Sequence, residues 1–349
     1  MPGFDSIVDQ ESVVRRLSKI NRKGNIPHAL LFTGLEGVGK RKTAKVFAMA
    51  CNCMHNDRPP YGSDDETTAP SVKAVCAAFP CGECRACRKI DAEIHPDIIF
   101  IQPQKGTIKI SQIRDLCHML SMKPYEAKQR VVIITEAHTM NPEAGNALLK
   151  MLEEPPGRTL LILTAPHSRN ILPTIISRCQ HVRFKPISQQ TLTSLLIDEY
   201  GFHSEEAEIL GALANGSMTK ARSLVETEWL SQRNWILSVL GYEKTNDTGL
   251  EELDLSLAFS ERIARQKDKI PDVLDIFMAW FRDLMIYPLA PEKIINKDLV
   301  DHLHSISGHM DTCSVLSKFE TVQKAREMID GNANPRLTLD VMMTRLMAN

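Results

Sequence analysis

Apolar residues follow two different periods along this chain. Four short runs are apolar almost throughout, as strands buried on both faces are: ALLFTG from residue 29, DIIFI at 97–101, RVVIIT at 130–135 and TLLILT at 159–164. Between them, apolar residues recur at helical spacing, for example in ISQIRDLCHML and in PEAGNALLKMLEE, which ends at two prolines. Strands that alternate with helices predict a parallel sheet covered on both faces.

Beyond RFKPIS, near residue 187, only the helical period remains. It is interrupted at ANGSM, YEKTNDTGL and APEKI. We interpret the chain as an α/β domain over 1–186, a small helical lid over 187–245 and an all-α domain over 246–349. The polar stretch 54–75 has no sustained period and predicts a surface insertion. In the terminal helix, the face of Leu337, Val341 and Met342 is interpreted as core or subunit interface.

The stretch GLEGVGKRKT at 34–43 follows the first strand and opens a helix. Its template is G-x-x-x-x-G-K-[ST], in which backbone N–H groups wrap phosphates, the lysine reaches the β and γ oxygens, and the hydroxyl holds Mg²⁺. Gly34, Gly39 and Lys40 fit this template, whereas Arg41 stands at the hydroxyl position. A guanidinium cannot coordinate a metal. The stretch therefore predicts the fold of a phosphate loop without its usual Mg²⁺ ligand.

A second metal-holding position is also changed. Phosphate-loop enzymes hold Mg²⁺ with an aspartate at the end of another strand, commonly followed by a glutamate that orients water. In VVIITEAH the aspartate position is Thr135, while Glu136 is retained. Two altered positions argue against Mg²⁺-dependent hydrolysis. Glu136 is then equally well explained as a strand-end residue held by local hydrogen bonds.

The cysteines of CGECRAC provide the strongest chemical pattern. Two-residue spacings allow Cys81, Cys84 and Cys87 to approach one ion at about 2.3 Å each, and Zn²⁺ takes four such ligands in a tetrahedron. A closed shell of four sulfurs has a structural role, since no position is left for water. The spacing leaves the fourth ligand open among three candidates, Cys51, Cys53 and Cys76.

Composition limits the classes of partner. The chain has 349 residues and a formal net charge of -1, so it has no overall electrostatic attraction to DNA. Contact with nucleic acid would need a local basic patch or a partner that supplies one. The sequence has no apolar run of about 18 residues and no signal-peptide layout at its start, so we expect a cytoplasmic protein without membrane contact.

Five motifs give the chain a resemblance to a known family. GLEGVGK, PCGECRACRKI, HPD, NALLKMLEEPP and ILPTIISRCQ occur in the order and approximate spacing of the bacterial clamp-loader subunits of DNA polymerase III, members of the AAA+ class. The resemblance covers roughly residues 1 to 225, and the C-terminal third only weakly. HPD, IQPQKGTIKISQIRDL and NPRLTLDVMMTRL look like the delta-prime group of these subunits. The ATP-hydrolysing gamma/tau subunits resemble the chain mainly in the shared core.

The resemblance implies a fold and a metal site. The fold would be a RecA-like AAA+ module with a parallel sheet, followed by a helical lid and an all-α C-terminal collar. Within 53–87, the resemblance implies a structural Zn²⁺ held by Cys53, Cys81, Cys84 and Cys87. Cys76 is the alternative to Cys53 as the fourth ligand.

The resemblance also implies roles at two further positions. By composition alone, Arg178 of SRC is a surface cation, but in the family this arginine is a finger directed at the γ-phosphate of the neighbouring subunit. In GSMTKA, Thr219 stands where relatives carry an arginine that senses nucleotide. Together with Arg41 and Thr135, this makes three changed nucleotide-handling positions. Such a pattern is expected of a subunit kept for assembly, with weak or absent ATP binding.

The implied function is that of a non-hydrolysing, stator-like subunit. It would join a pentamer with three gamma/tau subunits and one delta subunit, which opens the beta sliding clamp and places it on primed DNA. Two alternatives remain at this point. One is a gamma/tau-like ATPase with atypical Mg²⁺-binding positions, and the other is an independent zinc-dependent DNA-binding protein.

Overall fold

Five strands and six helices form the described residues of the first part of the chain. The computed structural model describes residues 3–55, 80–239, 258–266, 269–308 and 310–347. The strands are β1 (Ala29–Thr33), β2 (Ile98–Ile101), β3 (Arg130–Ile134), β4 (Thr159–Ala165) and β5 (Gln180–Arg183). The helices are α1 (Glu11–Lys23), α2 (Lys40–Asn52), α3 (Arg85–Asp91), α4 (Ile110–Ser121), α5 (Pro142–Glu153) and α6 (Pro173–Ile176).

The strands form one sheet in the order β2-β3-β4-β1-β5, with every neighbouring pair parallel. In the middle of the sheet, Leu31 lies between Leu163 of β4 and His181 of β5. All residues of β1, β3 and β4 are buried. The predicted parallel α/β fold is confirmed, and its central strands carry the most apolar sequences because helices cover both faces.

Alternate strand residues belong to two separate cores. Leu30 and Phe32 of β1 pack on one face, in a cluster that includes residues of α1, α2 and α3. Ala29 and Leu31 pack on the other, with residues of α4, α5 and α6. Successive side chains of a strand point to opposite faces, so one short strand contributes to both cores.

β5 is the strand that the hydrophobic pattern missed. Of its four residues, QHVR, only Val182 is buried, and among the described strands it pairs with β1 alone. An edge strand of this kind needs no continuous apolar run, because its polar side chains reach solvent. It adds a fifth strand where the sequence analysis expected four.

Helices begin and end where the sequence carries capping residues. At the start of α5, the Asn141 side chain accepts a hydrogen bond from the Ala144 N–H, and Pro142 occupies the first turn. The helix ends at Glu153, before Pro155. α1 ends at Lys23 and is followed by the capping residue Gly24, which has a left-handed conformation with φ of 65°.

The rest of the described chain is helical. Its helices are α7 (Gln189–Tyr200), α8 (Ser204–Leu213), α9 (Met218–Glu226), α10 (Trp229–Val239), α11 (258–265), α12 (Ile270–Ile286), α13 (Val300–Ser307), α14 (Thr312–Asp330) and α15 (Pro335–Met347). The breaks predicted at ANGSM and APEKI separate helices. The break at YEKTNDTGL lies outside the described residues, as do Cys76 and 56–75 of the predicted insertion. No described helix has the length and apolar character needed to cross a bilayer.

Residue contacts divide the chain into two units. One contains Met1–Leu192 and Asn215–Lys220, and the other contains Thr193–Ala214 and Ala221–Asn349. Within the second unit, the buried Asp283 carboxylate accepts hydrogen bonds from the N–H groups of Ile295 and Asn296. On the terminal helix, Met342 is buried, whereas Leu337 and Val341 are exposed in the single chain. The division into three domains stays a prediction.

Candidate functional site

Glycines shape the loop between β1 and α2. Gly34 has φ of +149°, and a Cβ there would lie 2.8 Å from both Cβ and the carbonyl oxygen of Phe184. Gly39, directly before α2, has φ of +91°. L-residues with side chains rarely adopt these conformations. The glycines of the template are therefore required here by backbone conformation and close approach, whether or not phosphate binds.

Lys40 is bonded to its own loop. Its ammonium donates to the carbonyl oxygens of Gly34 and Leu35, both at 2.6 Å. Burial lowers the pKa of Lys40 to about 8, an effect that the nearby Glu36 carboxylate opposes. The residue that would reach phosphate in an active loop thus satisfies two of its three N–H donors within the loop itself.

The start of α9 packs directly over this loop, within the same unit. The Met218 N–H donates to the Gly37 carbonyl oxygen at 3.1 Å. A Cβ added to Gly37 would lie 2.2 Å from the Ser217 hydroxyl and 2.8 Å from the Thr219 nitrogen. Thr219, the residue at the predicted nucleotide-sensing position, therefore lies against the loop, and it brings no positive charge there.

The guanidinium of Arg41, in the first turn of α2, contacts residues that are far from it in the sequence. Its guanidinium donates to both carboxylate oxygens of Glu93, at 3.0 and 3.2 Å. The amide oxygen of Gln102, when turned toward it, accepts at 2.8 Å, and the Phe100 ring centroid lies 5.8 Å from the guanidinium carbon. This position thus supplies a paired cation and no oxygen ligand for Mg²⁺.

Thr135 and Glu136 lie at the end of β3. The buried Thr135 hydroxyl donates to the Ile101 carbonyl oxygen at 3.2 Å, which ties β3 to β2. Glu136 is exposed with φ of 51°, and its N–H donates to the Thr164 hydroxyl at 3.2 Å. Thr135 therefore has a structural bond where an active loop enzyme has a metal-holding carboxylate.

Four cysteines meet at the other end of α2. Cys53 directly follows α2, Cys81 and Cys84 precede α3, and Cys87 lies within α3. Their sulfurs all lie within 4.8 Å of one another, and those of Cys81 and Cys87 are 3.9 Å apart. A tetrahedral ion with sulfur ligands at 2.3 Å requires separations of about 3.8 Å. The structure brings together the four cysteines that the resemblance implied; Cys51 is buried in α2 outside this set.

Backbone N–H groups face the cysteine sulfurs. The N–H of Cys84 points at the Cys81 sulfur and that of Cys87 at the Cys84 sulfur, both at 3.4 Å. Burial would raise the pKa of Cys84, but hydrogen bonds from the backbone of Met54 and Cys87 outweigh it and lower the pKa to about 7. Burial raises the pKa of Cys53 and Cys87. A divalent cation would stabilise all four as thiolates, and this soft donor set fits Zn²⁺.

Arg178 lies just after α6 and is held at both ends. Its carbonyl oxygen is 3.0 Å from the His28 Nε2 atom. Its guanidinium contacts Glu153 Oε1 at 2.8 Å and donates to the Thr174 carbonyl oxygen at 3.0 Å and to the Ser177 hydroxyl at 3.3 Å. The side chain is 36% exposed, so part of the guanidinium faces solvent.

Sequence reasoning missed the partners of both arginines. Glu93 is distant from Arg41 in the chain, and no local pattern pairs them. Glu153 belongs to the quoted motif NALLKMLEEPP, but nothing in the motif connects it with the arginine of SRC. Both pairs form only when the fold brings separate segments of the chain together.

Comparisons with known proteins agree on one family. The family model described as "DNA polymerase III, delta subunit" matches residues 9–188, and that for its C-terminal region matches residues 252–347. The DNA polymerase III subunit delta' of Pseudomonas aeruginosa is 31% identical over an alignment of 341 positions that covers 94% of each chain. The delta' subunit of Bacillus subtilis is 26% identical over 93% of this chain and 92% of its own length.

Two further matches concern gamma and tau subunits. The DNA polymerase III subunit tau of Bacillus subtilis is 29% identical over 98% of this chain, which spans only 61% of that relative. A solved Thermotoga maritima protein, described as related to the DNA polymerase III gamma subunit, is 18% identical with a TM-score of 0.44. That match covers 96% of this chain and 98% of the other.

Proposed function

The chain belongs to the family of DNA polymerase III clamp-loader subunits, and from this premise we propose that it is a delta-prime-type subunit that does not hydrolyse ATP. Its role is to assemble with ATPase subunits and to complete the catalytic site of a neighbour. Its location is the cytoplasm, where the bacterial chromosome is replicated.

The observation that carries this proposal is that the side chains of Arg41 and Thr135 are each bonded to another group of the protein. Hydrolysis at a phosphate loop needs Mg²⁺ to neutralise the phosphates. Here Arg41 is bonded to Glu93, and the Thr135 hydroxyl donates to a backbone carbonyl. Neither position supplies the oxygen ligand that it has in an active enzyme. With Lys40 bonded to Gly34 and Leu35, ATP binding is weak or absent.

We assign Zn²⁺ to the four-cysteine cluster, with Cys53, Cys81, Cys84 and Cys87 as ligands. The close approach of the sulfurs and the N–H groups directed at two of them support this assignment. Four cysteine ligands leave no open position, so the ion stabilises the fold and does not act on a substrate.

Arg178 is the residue that we propose takes part in ATP hydrolysis, at the site of the neighbouring subunit. A planar and permanently charged guanidinium stabilises the charge that develops on a transferring phosphoryl group. Arg178 keeps solvent-facing surface at the end of α6, and it would reach the γ-phosphate bound by an adjacent gamma/tau subunit. The assembly is a pentamer of this chain with three gamma/tau subunits and one delta subunit, which loads the beta sliding clamp on primed DNA.

The test uses a loader in which this chain supplies the sole arginine finger. It is assembled with gamma/tau subunits whose own finger arginines are replaced by alanine, and we name it the single-finger loader. Arg178→Ala should assemble normally but lower DNA-stimulated ATP turnover at least about tenfold, since fingers contribute 10³ or more in GTPases. Arg178→Lys should not restore it, because a lysine lacks the planar fork.

Arg169→Ala is the matched control, because Arg169 is an exposed arginine before α6. It should leave turnover unchanged. Unchanged turnover in the Arg178→Ala loader would show that Arg178 is only a surface or interface cation. The proposed finger would then be wrong.

A tau-type ATPase is the alternative that one observation favours. The Bacillus subtilis tau subunit matches 98% of this chain at 29% identity, although the chain spans 61% of that relative. This alternative requires Mg²⁺ to be held without Arg41 and Thr135. ATP turnover by the purified chain, lost on Lys40→Ala, would establish it.

A further inference from the structure

A carboxylate contacts the guanidinium that the proposed function assigns to the neighbouring active site. We propose that Glu153 is a positioning residue for Arg178: it orders the guanidinium before the neighbour's phosphate arrives. This inference rests on the proposed finger and extends it to a second residue of the same site.

The two side chains stand on a closely packed frame. Glu153 is the last residue of α5, and Arg178 follows α6. A Cβ added to Gly145 of α5 would lie 2.7 Å from a methyl carbon of Leu172, so α5 and the start of α6 approach closely. Ile175 of α6 is fully buried in the same core. The positions of both backbones are therefore set by core packing rather than by the ion pair.

Glu153 supplies an acceptor for the second terminal nitrogen of the Arg178 guanidinium. The Thr174 carbonyl oxygen and the Ser177 hydroxyl both accept from Nη1 of Arg178, whereas Glu153 Oε1 contacts Nη2 at 2.8 Å. Two acceptors on different nitrogens fix the plane of a guanidinium, and acceptors on one nitrogen leave it free to rotate. An arginine side chain loses considerable rotamer freedom when it is ordered, so ordering in advance favours the reaction.

The alternative is that Glu153 restrains the finger. The exposed fractions of the two side chains, 36% for Arg178 and 52% for Glu153, argue against it. Ion pairs between such exposed groups are weak and screened by salt. A guanidinium has five N–H donors, so phosphate can be bound through those that Glu153 does not use. The pair is therefore strong enough to orient Arg178 and too weak to withhold it.

The experiment measures ATP turnover in the single-finger loader. Glu153→Ala should lower kcat about 1.5- to 5-fold, the factor that corresponds to about 0.2 to 1 kcal/mol for an exposed pair. KM for ATP should not change, because the finger acts on the transition state. Glu153→Gln should give an intermediate kcat, since its amide oxygen can accept the hydrogen bond without the charge. Assembly and the melting temperature should be unaffected.

Two controls separate positioning from other effects. Glu154→Gln removes a neighbouring exposed carboxylate and should leave kcat unchanged. In the Arg178→Ala background, Glu153→Ala should have no further effect, because the residue acts through Arg178. A further fall in that background, or a rise in kcat in the single variant, would overturn the proposal.

The outcomes also distinguish this inference from the proposed function. If Arg178→Ala lowers turnover and Glu153→Ala does not, Arg178 is a finger that needs no positioning by Glu153, and only this inference fails. If Arg178→Ala itself has no effect, the proposed finger fails first.

Discussion

The two ends of α2 differ in the side chains that they offer to a metal ion. At the N-terminal end, Lys40 and Arg41 are cations bonded to carbonyl and carboxylate oxygens, and no metal ligand remains at the hydroxyl position. At the C-terminal end, the helix leads directly into Cys53, one of four cysteines whose sulfurs converge. One helix thus joins a phosphate loop that has an arginine at the usual hydroxyl position to a cluster suited to Zn²⁺.

The comparison teaches where substitution is tolerated. The Arg41 pair is exposed, with 45% of the arginine side chain and 36% of that of Glu93 accessible. Such a pair contributes little to stability, so Arg41 can be replaced with little change in the free energy of unfolding. At the cysteine end, Cys53, Cys84 and Cys87 are buried, and the Zn²⁺ that we propose there would couple the loss of a cysteine to a loss of folding energy.

The largest effect is expected from the loss of one metal ligand. Cys87→Ser should abolish the stoichiometric Zn²⁺ and lower the free energy of unfolding by at least about 4 kcal/mol, because metal binding is coupled to folding. Metal analysis and chemical denaturation check this. Cys313→Ser, which removes an exposed cysteine of α14, is the control and should retain zinc. Full zinc content in the Cys87 variant would contradict the assignment.

A smaller effect is expected from Asn52, the last residue of α2. Its buried amide donates to the Gln129 carbonyl oxygen at 2.9 Å and accepts from the Gln129 N–H at 3.0 Å. Asn52→Ala should cost about 2 to 3 kcal/mol, because it leaves two backbone groups unpaired. Asn21→Ala removes a single 3.4 Å bond to the Ala50 carbonyl oxygen and should cost below about 0.5 kcal/mol by the same reasoning. If chemical denaturation shows that both variants lose the same free energy of unfolding, the hydrogen bonds of Asn52 to Gln129 do not stabilise this end of α2 as described.

Asp97 anchors the segment before Gln129, and its effect should depend on pH. Burial alone would raise its pKa, but N–H groups of Glu126, Tyr125 and Ala127 donate to the carboxylate and lower the pKa below 3.8. A carboxylate whose pKa is lowered on folding stabilises the fold at pH values above its unfolded-state pKa. This stabilisation is lost as the pH falls through the folded-state pKa.

Asp97→Asn should therefore cost about 2 kcal/mol at pH 7, and the difference from the unmodified chain should shrink below about pH 4. Denaturation at pH 7 and at pH 3 measures this. A difference that stays constant between the two pH values would show that the charge of Asp97 is not the cause.

The smallest effect is expected at the phosphate loop. Arg41→Thr restores the template residue and should change the free energy of unfolding by less than about 1 kcal/mol, since it removes an exposed ion pair. It should also not create ATP turnover, because Thr135 still stands at the second metal-holding position. A loss of several kcal/mol would mean that the two ends of α2 are equally dependent on their side chains.

The sequence predicted the parts of this molecule that follow local patterns. The central strands were recognisable because they are apolar throughout, and the three clustered cysteines because of their spacing. β5 was missed since an edge strand with one buried residue has no such pattern. The spacing left the fourth cysteine open. The resemblance implied Cys53, and the folded chain places Cys53 beside the other three, while Cys76 lies outside the described residues.

Long-range pairs were beyond sequence reasoning. Glu93 meets Arg41, and Glu153 meets Arg178, because separate segments come together around the sheet. Such a pair depends on the distance between two side chains in the folded protein, and the periodicity of the sequence does not predict that distance.

The most direct test of the central claim is Mg²⁺-dependent ATP turnover by the purified chain. We expect turnover of the unmodified chain to equal that of Lys40→Ala, because Arg41 offers no oxygen to the metal ion and the Thr135 hydroxyl, bonded to the Ile101 carbonyl oxygen, replaces the usual carboxylate. The comparison of the two variants removes any contribution from contaminating ATPases. Turnover that is present in the unmodified chain and disappears on Lys40→Ala would show that the N-terminal end of α2 still performs metal chemistry, and would contradict the account.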